Sequence, residues 1–180
     1  IAHSDSGLVQ LPQLPPDQRI RIYSAKAELL PDYSVKAQIQ ISDYGNRAAE
    51  TRSYWRSTSE KEHIDRLKEI YSEHIINVTL TDFERHEQDD SAWVTFNLSG
   101  AKYVSESGGL FLLKADLLHT DNLNELTKPK RVHPISFGSP GIIETNIEWL
   151  LPPEFRLNGK LDTIKYAFED FMVESEADFA

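Results

Sequence analysis

The feature that most constrains this chain is a change of period. Between Asp43 and Ile76 the apolar residues recur at helical spacing, and on both sides of that block they alternate. Ile64, Leu67, Ile70, Tyr71, His74 and Ile75 follow at steps of three and four, which draws a single apolar stripe along a cylinder. Lys61, Glu62, Asp65, Arg66, Lys68, Glu69 and Glu73 stand between them as the solvated side. Ser59 followed by Glu62 has the form of a capping box, so the spacing predicts a helix over 60–76. A shorter helix is predicted over 47–56, with Ala48, Ala49, Arg52 and Trp55 on one side. One stripe covers one sheet face, so the helical block at about 47–76 is expected to lie packed on a sheet.

The flanking segments read as strands. Residues 34–42 place Val35, Ala37, Ile39 and Ile41 on one face and Lys36, Gln38 and Gln40 on the other. Residues 19–29 alternate around Ile20, Ile22 and Ser24, then Ala25 and Ala27, and the Pro31-Asp32 turn joins the two segments as a hairpin. After the helices, Val78, Leu80 and Phe83 mark a strand ending near Glu87, and Val94, Phe96 and Leu98 mark the next. Ser105 to Gly109 is a strong turn signal, from which residues 110–117 return as a strand. Residues 119–131 read as a polar surface loop, and short strands are predicted at 133–138, 142–151 and 161–174. Residues 169–180 hold five acidic side chains and no basic one, and read as an edge strand with a fraying tail. The Pro-rich residues 1–17 read as an extended lead-in, leaving 18–180 as a single domain. The expected fold is mainly β (α+β by content): an antiparallel β-sandwich with a helical insertion.

Composition excludes several function classes. A net charge of −10 disfavours nucleic acid and anionic membranes, which call for a basic surface. The longest apolar run, Leu110-Phe111-Leu112-Leu113, is far short of the ~20 residues that span a bilayer. The absence of cysteine removes thiol nucleophiles, disulfides and thiolate metal ligands. Gly-x-Ser-x-Gly and Gly-rich phosphate loops are missing, so no cofactor is indicated; Gly138-Ser139-Pro140-Gly141 reads as a turn.

The remaining candidates have ordinary readings beside them. His86 lies in Glu84-Arg85-His86-Glu87-Gln88-Asp89-Asp90, which is rich in metal-ligand types, but an acidic β-turn explains the same letters. His3 and Asp5 have no nucleophile nearby and suit a terminus. A glycosidase-like carboxylate pair is defined in space, so none of the acidic residues is singled out. Trp93, Trp149 and Tyr103, with Trp55 and Tyr44, are candidates for a sugar-binding face, although tryptophans in alternating strands more often pack. Asn77-Val78-Thr79 and Asn97-Leu98-Ser99 match the glycosylation triplet, a pattern common by chance.

Several motifs, in order, carry a family resemblance. They are Leu11-Pro12-x-x-Pro15, Gly45-x-x-Ala48-x-x-x-Arg52, Arg131-x-x-Pro134-Ile135 and Ile147-Glu148-Trp149-Leu150-Leu151-Pro152. Over most of residues 8–157 the chain resembles the segment behind the papain-like core of large bacterial transglutaminase-like proteins, which also carry an N-terminal domain of unknown function. The resemblance implies a jelly-roll-like module in an exported, periplasmic protein, with Gly45, Arg52, Arg131, Pro134 and Pro152 in structural roles. It implies that the module serves the transglutaminase-like core of the same polypeptide, or a protein or peptide partner. The family core uses a Cys-His-Asp triad. This chain has no Cys, and Asp5 lacks the Pro-Thr that marks the family's Asp, so no triad residue carries over. The family's closing strands are missing after Phe179, so the module reads as truncated there, with a sheet edge left for another chain to complete.

Overall fold

The computed structural model describes residues 2–4, 7–9, 15–117, 140–156, 158, 164–168 and 171–176. Two small strands, β1 (Ala2–Ser4) and β2 (Gly7–Val9), pair antiparallel. They lie within the stretch expected to be an extended lead-in. Its prolines begin only at Pro12, so the amides upstream are free to enter a ladder. A 3-10 turn at Pro16–Gln18 then leads into β3 (Arg19–Leu29), which pairs along its whole length with β4 (Val35–Gly45). The turn between them is set by Asp32, whose side chain accepts from the Ser34 amide at 3.0 Å.

At Gly45 the chain turns from strand to helix with φ +59°, a left-handed conformation that glycine adopts without cost. Helix α1 (Asn46–Ser57) stops where Thr58 becomes extended, and α2 (Glu60–Ser72) restarts at the capping box. Ser59 Oγ accepts from the Glu62 amide at 3.2 Å, and the Glu62 carboxylate accepts from the Ser59 amide at 2.8 Å. α2 ends four residues before the expected 76, because His74 and Ile75 fold back onto the Tyr71 carbonyl and the chain turns into β5 (Ile76–Glu87).

β6 (Ser91–Ala101) fills the space between β5 and β4, and β9 (Ile142–Leu150) pairs with β3, which gives the order β5-β6-β4-β3-β9. Separate ladders join β7 (Val104–Ser107) to β8 (Leu110–Leu113), and β10 (Ile164–Phe168) to β11 (Phe171–Ser175). The β7–β8 turn carries Gly108 and Gly109, both at positive φ, as a two-residue hairpin turn requires.

The molecule is mainly β and α+β by content, with the helical block packed on the sheet. Ala25, Ala27, Val35, Ala37, Ile39, Val94, Phe96 and Leu98 face inward and meet Leu67, Tyr71 and Ile75. Two details differ from an antiparallel sandwich. Among the described residues the layer facing the five-stranded sheet is the helical pair rather than a second large sheet. The apolar stripe of α2 already covers the inward face that a second sheet would take. β9 also runs parallel to β3, which the long connection from β8 permits. The strand expected at 110–117 ends at Leu113, and the one expected at 161–174 is the β10–β11 hairpin. The loop at 119–131, the strand at 133–138 and the end of the acidic tail at 177–180 lie outside the described residues.

Candidate functional site

Strand register puts charge where the sheet meets α1. Arg21 and Asp43 are direct partners across β3 and β4, in phase with the apolar residues that face the helices. Arg21 Nε and Nη2 donate to the two Asp43 oxygens at 2.6 and 2.7 Å, a bidentate pair. Thr51 Oγ1, one turn into α1, donates to the same carboxylate at 2.6 Å, and Arg47 Nε lies 3.7 Å from it. Asp43 is only 2% exposed. Burial pulls the Arg21 guanidinium down, but its bond to Asp43 more than offsets this and holds its pKa above the ordinary arginine value. Arg19 extends the group outward, 3.0 Å from Glu50, whose carboxylate also sits 3.6 Å from Arg47. Three guanidinium groups thus meet two carboxylates. Arg47 shows the surplus: burial, then Arg21 and Arg19, push its pKa down against Asp43 and Glu50.

Under the junction of the two helices lies a second layer. Arg85, on β5, donates to the Thr58 and Ser59 carbonyls at 3.1 Å each and so holds the α1–α2 link to the sheet. Its guanidinium also lies over the Trp55 ring, 5.6 Å from the centroid. The His63 ring sits edge-on between Tyr54 at 5.4 Å and Phe83 at 5.1 Å. Burial, and then the charges of Arg85, Arg66 and Arg21, push its pKa down to about 4, so the imidazole is neutral at pH 7. Trp55 Nε1, His63 Nδ1 and Arg85 Nε are buried with no hydrogen-bond partner among the described residues. The two layers wall a cleft of about 640 Å³ between the helices and strands β3 and β4.

The aromatic residues nominated from sequence do not share one surface. Tyr103 is buried, donates its hydroxyl to the Lys114 carbonyl at 2.7 Å and stacks on Trp149 at 5.5 Å. Trp149 is tied in turn by its indole N–H to the Ala115 carbonyl at 3.0 Å. Trp93 is on the opposite face of the sheet, half-buried, with its ring stacked on His86 at 5.1 Å. It stands in a cross-strand row of His86, Trp93, Ser42, Ile22 and Glu144. Tyr44 lies on that same face, whereas Trp55 belongs to the helix junction. Further along, Lys26, Lys36, Gln38, Thr81, Asn97 and Glu148 line a shallow hollow of about 610 Å³.

The remaining nominated residues fall as follows. Arg52 Nη1 donates to the Gln88 and Ser91 carbonyls at 2.9 and 3.1 Å, joining α1 to the β5–β6 turn. Gly45 occupies the strand-to-helix turn, and a Cβ there would lie 2.5 Å from the Gln18 carbonyl oxygen. The buried Pro152 closes a turn through its carbonyl, which accepts from Phe155 at 3.0 Å. Arg131, Pro134 and Asp5 lie outside the described residues, and His3 lies in β1. His86 Nε2 is 3.2 Å from Glu84, and no group of three metal-ligating side chains occurs among the described residues. The sequence reading missed Arg21, Asp43, Thr51, His63 and Arg85. For Asp43 the signal was present: it is a charged residue in phase with Val35, Ala37, Ile39 and Ile41 on one strand face.

The two sheet edges are built differently. β5 slips register twice, between Ile76 and Thr79 and between Thr81 and Glu84, with Asn77 and Asp82 at positive φ. Such bulges twist an edge away from pairing. β9 pairs with β3 in nine unbroken register steps, from Ile142 to Leu150. Among the described residues β9 has no strand on its other side, and Ile143 and Leu150 are 67% and 64% exposed. Comparisons with protein-family models, curated proteins and solved structures find no match.

Proposed function

We propose that this chain is a non-catalytic accessory module that accepts a polypeptide strand along β9. The observation that carries this reading is the contrast between edges: β5 is bulged, whereas β9 is regular and nine residues long, with Ile142, Ile143 and Leu150 exposed among its polar residues. A regular edge of this kind invites pairing with another chain, because it offers an unbroken row of backbone donors and acceptors. The charged groups at the helix–sheet junction support the reading. Asp43, Arg52 and Arg85 each fasten a helix or a turn to the sheet. On the resemblance set out above, the partner is the transglutaminase-like core of the same polypeptide, in an exported protein.

Titration of the chain with that core, followed by calorimetry, tests the reading. Ile143→Asp puts a charge on a largely exposed position and should leave folding intact while weakening binding about tenfold or more. Equal binding by the variant and the parent chain would remove β9 from the interface. A second reading, a carbohydrate-binding face, rests on Trp93 and the hollow further along the same face. It predicts saturable polysaccharide binding that is lost in Trp93→Ala and unaffected by Ile143→Asp.

A further inference from the structure

The cleft between the helical pair and the sheet has the composition of a ligand site, independently of what β9 does. Its volume, about 640 Å³, falls within the range of small-molecule pockets. Leu67, Ile70, Ile41 and Val94 supply an apolar lining, and Tyr54 and Trp55 supply aromatic surface. The charged residues lining it are Arg21, Arg47, Arg66 and Lys114 against Asp43, Glu50 and Glu73. Among the described residues, Arg21, Arg47 and Arg66 bring three guanidinium groups to the wall of this one cleft, in a chain whose net charge is −10. Positive potential focused in a cleft of an acidic protein selects an anion from solution.

Individual residues sharpen the choice. Arg66 is exposed at the cleft and has no ion pair or hydrogen bond among the described residues, so its guanidinium is available. Arg47 shares Asp43 with Arg21 and Glu50 with Arg19, so an added carboxylate would give it a partner of its own. Trp55 Nε1 and His63 Nδ1 are buried donor or acceptor atoms with no partner among the described residues, and both side chains line the cleft. A phosphate or sulfate alone would leave the aromatic and aliphatic wall unused. We propose that the cleft binds a small amphipathic carboxylate, with its apolar body against Trp55, Leu67 and Ile70 and its carboxylate at Arg47 and Arg66.

Decanoate, below its micelle-forming concentration, is a suitable probe, with decanol as its uncharged counterpart. Proton–nitrogen NMR reads the Trp55 indole directly, and Trp93, on the other face, serves as an internal control. Decanoate should shift the Trp55 signal saturably, leave Trp93 in place and bind about tenfold tighter than decanol. Arg66→Gln should weaken decanoate about tenfold with the melting temperature unchanged, since that side chain holds no structural partner. The proposal is overturned if Trp55 shows no saturable shift up to about 5 mM decanoate, a limit set by millimolar affinity. Equal affinity for decanoate and decanol, or an Arg66→Gln variant that binds as the parent chain does, overturns it as well.

Discussion

Asp43 and His63 are the two residues whose replacement is most informative. Asp43 is buried and takes hydrogen bonds from both Arg21 and Thr51, so truncating it leaves a guanidinium and a hydroxyl unsatisfied at once. Asp43→Ala should lower unfolding free energy by about 3–5 kcal/mol in urea denaturation. Glu50→Ala, which breaks an exposed pair, should lower it by no more than about 1 kcal/mol. His63 takes a proton near 6.5 when unfolded and only near about 4 when folded. Between those values the unfolded state holds more protons, so acidification favours it. Stability from this residue is complete above pH 6.5 and falls as pH drops toward 4, by roughly 2 kcal/mol after solvent screening. Comparing the parent chain with His63→Phe by denaturation at pH 7 and pH 4.5 checks this, with the variant expected to lose less on acidification. The phase of Asp43 on its strand was legible, that of Arg21 was not, and their pairing depends on hairpin register. The environment of His63 depends on Phe83 and Arg85, twenty or more residues away in sequence, which no local pattern reveals.

At the scale of elements, legibility followed how local the cause was. The capping box at Ser59 and Glu62, the alternation of 34–42 and the Gly108-Gly109 turn are each decided within a few residues, and each forms. The inward phase of β3 was harder to read, because its apolar residues change sides. Ile22 lies with Trp93 on the polar face, while Ala25 and Ala27 enter the core. The bulges of β5 and the parallel pairing of β9 were not legible, since both are set by partners distant in sequence. Gly45 fixes how β4 enters α1. Gly45→Ala would force an L residue to φ +59° and bring its Cβ 2.5 Å from the Gln18 carbonyl oxygen. The expected loss is about 2 kcal/mol or more, read as a fall in the midpoint of thermal or urea unfolding.

Among the described residues the five-stranded sheet is one-sided: helices cover one face, one edge is bulged and the other has no neighbouring strand. That asymmetry was only partly legible. The mainly β content and the helical block followed from periodicity, but which edge would be left open depends on strand order. Its functional consequence rests on β9. Amide hydrogen exchange across residues 142–150, with and without the proposed partner, a transglutaminase-like core, tests it most directly. The account predicts that β9 amides not bonded to β3 exchange freely in the chain alone and slow by about a hundredfold or more once the core is bound. Unchanged exchange in β9 at saturating core, or protection confined to β5 or the polar face, would contradict it.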